Sequence, residues 1–193
     1  SAQVFSDRLT VFASDSLTLL GVLSSSIHSL WAIKYGTTHE TRVTYNPSAV
    51  FETFPRPATT YGVTTAGELL DTGRREVMLR REFGLTHLYN LVNDPQITEA
   101  SEPDIARMRA IHVELDNEVL NAYGWSDIPL DHGFHTYRQM QRWTVSPAAR
   151  VEILDRLLEE NHRRAAEEAK QRPQTKSKGR RGTSAPDDQG TLL

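Results

Sequence analysis

Residues 28–57, HSLWAIKYGTTHETRVTYNPSAVFETFPRP, oblige three kinds of backbone to meet within one short span. The span opens in the second half of an apolar-periodic helix and passes Gly36 into a charged, β-branched run from Glu40 to Tyr45. It ends in an aromatic-proline segment. Pro47, Pro55 and Pro57 each remove a backbone donor and fix φ, so regular structure is expected to stop soon after Tyr45. Phe51 and Phe54 have the spacing of one face of a single turn, which suits them to staple this segment to a core.

Upstream, residues 9–12 are β-rich and suit a strand entering a sheet whose earlier strands precede the sequence, as if the chain began inside a domain. Ser14 or Asp15 is placed to cap a helix over residues 16–35. Leu17, Leu20, Leu23 or Ser24, Ile27 and Trp31 recur at near-helical spacing, and Gly36 is the expected left-handed stop. Gly21, Ser24, Ser25 and Ser29 are small, so another backbone can lie close to this helix. Residues 37–45 read as one short extended segment, and the Thr, Gly and Ala of residues 58–65 as a linker between two domains.

Beyond the linker the pattern is helical. Thr65-x-x-Glu68 has the form of a capping box for a helix over residues 66–83, ended by Gly84. Residues 85–93 add a further helical piece closed by Asp94-Pro95. Ser101-x-x-Asp104 is expected to cap a helix whose stripe is Ile105, Met108, Ile111 or His112, Leu115, Val119 and Tyr123, with Gly124 as its end. Residues 125–145 read as irregular, plugged by Trp125, Phe134 and Trp143. Ser146-Pro147 opens a last helix with stripe Val151, Leu154, Leu157 and Leu158. Its end frays into Arg163-Arg164 and Glu167-Glu168.

From Arg172 onward almost nothing is apolar, and a disordered tail is expected. The run 170–181 carries Lys170, Arg172, Lys176, Lys178, Arg180 and Arg181 without an acid, which suits non-specific, salt-sensitive affinity for DNA. The architecture expected is therefore mainly α: a helical bundle with a small strand-helix-extended N-terminal unit and a disordered C-terminal tail.

Composition narrows the classes. A mean hydropathy of -0.50 fits a chain part of which is solvated tail. The absence of cysteine excludes disulfides and thiolate metal sites. No run is long and apolar enough for a membrane span and no signal-peptide pattern opens the chain, so a cytoplasmic setting is expected, with no membrane partner. A net charge of -3 does not advertise nucleic-acid binding, although a local basic surface can still provide it. No P-loop, His-Glu-x-x-His or Gly-x-Ser-x-Gly pattern occurs. His132-x-x-His135 lacks a well-spaced third ligand unless Asp127 or Asp131 serves, and reads as two loop histidines, one hydrogen-bonded into the fold. Arg74, Arg75, Arg80 and Arg81 are diluted by Glu68, Glu76 and Glu82, the pattern of a salt-laced helix surface.

Several segments, taken in order, resemble a known family. These are the serine-rich helix with His28 and Trp31, then Gly36, Arg42-x-x-Tyr45-x-Pro47 and Phe51-x-x-Phe54-Pro55-x-Pro57. Downstream come Gly84-Leu85-Thr86-x-x-Tyr89-Asn90 through Asp94-Pro95, Ala122-Tyr123-Gly124-Trp125-x-Asp127, and residues 150–162. Over roughly residues 3–168 this order resembles the end of the target-recognition domain and the helical C-terminal domain of large bacterial DNA adenine methyltransferases, namely the fused restriction-modification enzymes of type IIL and their phage-defence relatives. The resemblance implies residues 1–57 as the end of a recognition domain, 58–65 as linker, 66–171 as the helical domain and 172–193 as a basic tail. It implies double-stranded DNA and an upstream methyltransferase domain as partners. Catalysis and S-adenosylmethionine would belong to that upstream domain, with no cofactor in this chain. Asn46-Pro47-Ser48-Ala49 lacks the second proline and the aromatic of a base-holding methyltransferase loop, so no residue here is catalytic.

Glu40 and Arg42 are the candidates for base readout. Two residues apart in an extended segment, they point to one side. Arginine can donate two hydrogen bonds to guanine, and glutamate can accept from the cytosine amine. The resemblance adds that such enzymes vary their sequence preference at this charged pair. Lys34, His39 and Arg56 flank it as candidates for the DNA backbone. A solvated strand face is the plainer account of the same residues. Two other functions stay open: a helical protein-interaction module without direct DNA contact, and a self-contained enzyme, for which no cluster of acid, base and nucleophile stands out.

Overall fold

Ser25 interrupts what the apolar spacing suggests is one helix. In the computed structural model, which describes residues 10–39, 42–137 and 140–171, α1 spans Leu17–Ser24 and α2 spans Ser26–Tyr35, with a bend of 61° between them. The Ser25 hydroxyl donates to Val22 O at 2.7 Å and accepts the His28 N–H at 3.2 Å, so one side chain closes α1 and caps α2. Ser16, not Ser14 or Asp15, caps α1. Gly36 is extended, with φ -66° and ψ 152°, and not left-handed: α2 runs straight into a strand.

That strand, β1 (Thr37–His39), pairs antiparallel with β2 (Arg42–Thr44), so the expected single extended segment is a two-stranded hairpin. Residues 10–12, the described part of the expected first strand, are not in a strand. Phe12 instead packs its ring on Tyr45 and Phe51. Pro47 does not end regular structure but opens a one-turn helix, α3 (Pro47–Val50), capped by Asn46, because the first helical position needs no donor.

Helix α4 spans Tyr61–Arg81, starting within residues 58–65 instead of at Ala66, since Thr60 accepts the Val63 N–H and Thr65 is interior. It packs on α1 backbone to backbone. A Cβ on Gly67 would lie 2.1 Å from Leu17 O, and one on Gly21 would lie 3.2 Å from Gly67 Cα. The close approach expected of the small-residue helix is thus made by Gly21. Glu82, in the left-handed region at φ 55°, ends α4, and Gly84 begins α5 (Leu85–Val92).

Helix α6 (Pro103–Tyr123) presents the expected stripe, with Ile105, Met108, Ile111, Leu115 and Val119 buried, and ends at left-handed Gly124. Glu102, not Ser101, precedes it, because the Ser101 hydroxyl is engaged with Thr98. The stretch expected to be irregular folds as a second antiparallel hairpin, β3 (Gly133–Tyr137) with β4 (Met140–Thr144). Ser146 caps α7 (Pro147–Gln171) as expected. Of its expected stripe, Leu157 is buried and Leu154 packs against the core, but Val151 remains 63% exposed and Leu158 36%, and Ala149, Arg150 and Ile153 complete the inward face. Arg150 sets this rotation: its guanidinium donates to Val145 O and Thr136 O and lies 4.5 Å from the Tyr137 ring centre.

The molecule is mainly α. Helices α1, α4, α5 and α6 pack together as a bundle, α2 lies against α6, and α7 lies against α2, with the segment after the first hairpin beside them. Ile27, Trp31, Val50 and Phe54 join one core with Val63, Leu70, Leu115, Leu120 and Leu157. Buried Phe54 and half-buried Phe51 staple their segment as their spacing suggests. Among the described residues no single helix is long and apolar enough to cross a membrane. The tail at 172–193 lies outside the described residues.

Candidate nucleic-acid interface

The β1–β2 register places Thr37 opposite Thr44, Thr38 opposite Val43, and His39 opposite Arg42. Arg42 therefore opens the second strand across from His39, and Glu40, in the connection between them, lies outside the described residues. Lys34 is exposed in the last turn of α2, where a cation complements the helix dipole, three residues before the hairpin begins. Three of the five candidates thus belong to one helix-to-hairpin unit.

Aromatic packing ties the base of the hairpin to the fifth candidate. Tyr45, directly after β2, has its hydroxyl 3.1 Å from His28 Nε2, and its ring meets Phe12 edge-on at 6.1 Å. Phe12 packs on Phe51 at 4.8 Å, and the exposed Arg56 guanidinium lies 4.9 Å over the Phe51 ring. His28 is buried beneath Tyr45 and Phe54, and burial lowers its pKa to about 4, which leaves it neutral and makes it a packing group. Burial also raises the Tyr45 pKa, so its hydroxyl stays protonated.

The segment bearing Arg56 is held from behind by the bundle. Tyr123 donates to Pro55 O at 2.8 Å, Asn161 Nδ2 to Thr53 O at 2.6 Å, and Arg164 Nη1 to Arg56 O at 2.8 Å. Trp31 Nε1 donates to the Thr53 hydroxyl, which in turn donates to Ala49 O. The end of α6 and the second half of α7 therefore fix the aromatic-proline segment through its own carbonyls. None of these three donors follows from local spacing, because each partner lies more than sixty residues away in sequence.

The arginines of α4 are engaged internally. Arg81 and Arg80 pair with Asp104, and Arg81 also with Glu102. Arg75 pairs with Asp71 at 3.0 Å. Arg74 donates through Nε to the Tyr89 hydroxyl at 2.8 Å and reaches Ser24. Tyr89 also lies 2.7 Å from Nε2 of His112, whose pKa burial lowers to about 4. His132 and His135 do not share a site: His132 Nε2 meets buried Asp116 at 2.8 Å, and His135 Nε2 lies 2.9 Å from Asp131 O. No group of side chains suited to hold a metal occurs among the described residues.

No protein-family model matches the chain, and no curated protein does. Among solved structures, the chain is similar to the type IIL restriction-modification enzyme MmeI, solved in complex with DNA, with a TM-score of 0.50 and 18% identity. The match covers 80% of this chain and 17% of that one, so the chain spans about a sixth of the length of that enzyme. At this identity the likeness is one of fold.

Proposed function

We propose that the chain is the DNA-reading and helical C-terminal portion of a bacterial, cytoplasmic, S-adenosylmethionine-dependent DNA adenine-N6 methyltransferase or restriction-modification enzyme, whose catalytic domain lies outside this sequence. The observation that carries this reading is the fold likeness of most of the chain to a small part of an enzyme solved on DNA. Residues 1–57 finish a recognition domain, residues 58–65, of which 61–65 already belong to α4, lead into the helical domain of residues 66–171, and 172–193 add sequence-independent affinity. Glu40 and Arg42 read a base pair, and Lys34, His39 and Arg56 take phosphates. Tyr123, Asn161 and Arg164 position the segment that bears Arg56. Enrichment from a randomised duplex pool tests the readout. Arg42→Ala is expected to relax preference at one base position, whereas uniform weakening across sequences would make Arg42 a phosphate contact.

One observation favours a second reading, a helical interaction module. Val151 and Leu158 leave apolar surface on α7 that the bundle does not cover. In that reading α7 docks on another protein domain, and duplex DNA is not bound even at low salt.

A further inference from the structure

Between Asp131 and Glu152 the chain carries no acidic residue, although acids outnumber bases by 25 to 22 over the whole sequence. The β3–β4 ribbon lies in this stretch. An isolated two-stranded ribbon is marginal in water, so this one has to be fastened by the rest of the fold. Phe134 and Trp143 face each other across the strands with ring centres 5.2 Å apart, and the buried Arg109 guanidinium lies 4.8 and 5.4 Å from the two rings. Arg109 is itself fixed by the carbonyls of Leu91, Val92, Asp94 and Ile97, which end α5 and the turn after it. Asn93 Oδ1 accepts the Trp143 N–H at 3.0 Å, and Arg150 donates to Thr136 O from the other side.

The ribbon is therefore held through Phe134 and Trp143 on one face and Tyr137 on the other, and its exposed positions are free of acid. Thr136, Met140, Gln141 and Arg142 are exposed. Arg142 lies opposite His135, so both project from one face; Thr136 lies opposite Gln141 on the other, the face of Phe134 and Trp143, nearer the connection between the strands. Among the described residues no carboxylate lies within ion-pair distance of Arg142, unlike Arg75, Arg80, Arg81, Arg156 and Arg163. A guanidinium, an amide and a hydroxyl on a stiff ribbon match the acceptors of a nucleic-acid duplex, whose major groove admits a two-stranded ribbon.

We infer that the β3–β4 ribbon is a second contact for duplex DNA, with Arg142 on a backbone phosphate and Thr136 and Gln141 at the groove edge. This rests on the DNA reading above but uses an element remote in sequence from the β1–β2 hairpin. Affinity of the whole chain for a labelled duplex, measured at about 50 and 200 mM salt, tests it. Losing one phosphate contact shrinks the ratio of the two affinities about three- to fourfold, which is the expectation for Arg142→Ala. Arg142→Lys is expected to retain the ratio, and Gln141→Glu, at an exposed position, to weaken binding with the thermal melt unchanged.

An unchanged ratio for Arg142→Ala overturns the inference. If Arg42→Ala still weakens binding in that case, the β1–β2 reading stands without the ribbon. No binding by the wild-type chain overturns both. Displacement of the duplex by polyglutamate as readily as by unlabelled duplex overturns the inference in favour of an acidic protein partner.

Discussion

Asp116 and His132 are fastened together inside the molecule, with Oδ2 of the aspartate 2.8 Å from Nε2 of the histidine and Asp116 fully buried. The other carboxylate oxygen accepts the Ser26 N–H at 2.7 Å, in the first turn of α2. One side chain of α6 thus fills the break at Ser25 and secures the loop leading to β3, joining both hairpin-bearing regions to the bundle. A carboxylate at a helix N-terminus also meets the favourable end of its dipole.

Removing that carboxylate leaves the part-buried Ser26 N–H and the buried His132 ring without their partner. Asp116→Ala is expected to cost about 3 kcal/mol of stability, and Asp116→Asn, which keeps one acceptor, about half as much. Urea unfolding measures both; a loss below about 1 kcal/mol for the alanine variant would contradict the role given to Asp116.

Stability should fall between neutral and mildly acid pH. His28 and His112 both have folded pKa values lowered to about 4 by burial, against 6.5 unperturbed. The unfolded chain takes up these protons first, so the stabilisation is complete above about 6.5 and is lost as pH falls toward 4. Arg74 and His132 beside His112 act in the same direction, and Asp116 opposes them. Between pH 7 and pH 5 the two histidines together are expected to remove roughly 3 kcal/mol. Urea midpoints at the two pH values measure this, and the slope should flatten in a His28→Gln/His112→Gln variant. A wild-type profile that stays level across the interval would contradict burial of both rings.

The α1–α4 contact sets two glycines apart. A Cβ at Gly67 meets the Leu17 carbonyl, which cannot move without shifting α1, and Gly67→Ala is expected to cost about 2 kcal/mol or more. Gly84 has open space around its Cβ position and an ordinary φ of -92°, so Gly84→Ala is expected to be neutral or stabilising by about 0.5 kcal/mol. Thermal melts of the two variants decide; equal losses would mean that α1 does not lie on α4 as described.

Where structure follows local chemistry, the sequence was a sound guide. The stripe of α6, left-handed Gly124 and the Ser146-Pro147 start of α7 all follow from spacing and caps. The break at Ser25 was hidden because it depends on Asp116, ninety residues away. The β3–β4 ribbon was missed because its pattern lacks a clean apolar face, and because Arg109 and Arg150, which hold it, belong to a residue type normally found at the surface. The same bias put Val151 in the core in place of Arg150. At the candidate interface, the extended character of residues 37–39 and 42–44 and the stapling by Phe51 and Phe54 were legible. Their division into paired strands, and the hold of Tyr123, Asn161 and Arg164 on the following segment, rest on long-range contacts.

Fluorescence anisotropy of the 193-residue chain with duplex DNA at two salt concentrations is the experiment to perform first, comparing wild type with Glu40→Ala/Arg42→Ala and with a chain ending at Gln171. The DNA-reading account predicts salt-sensitive binding that the double substitution weakens, while truncation lowers only the sequence-independent part. Loss on truncation alone would assign the affinity to the tail and contradict readout by the β1–β2 hairpin; no binding by any form would favour the interaction module.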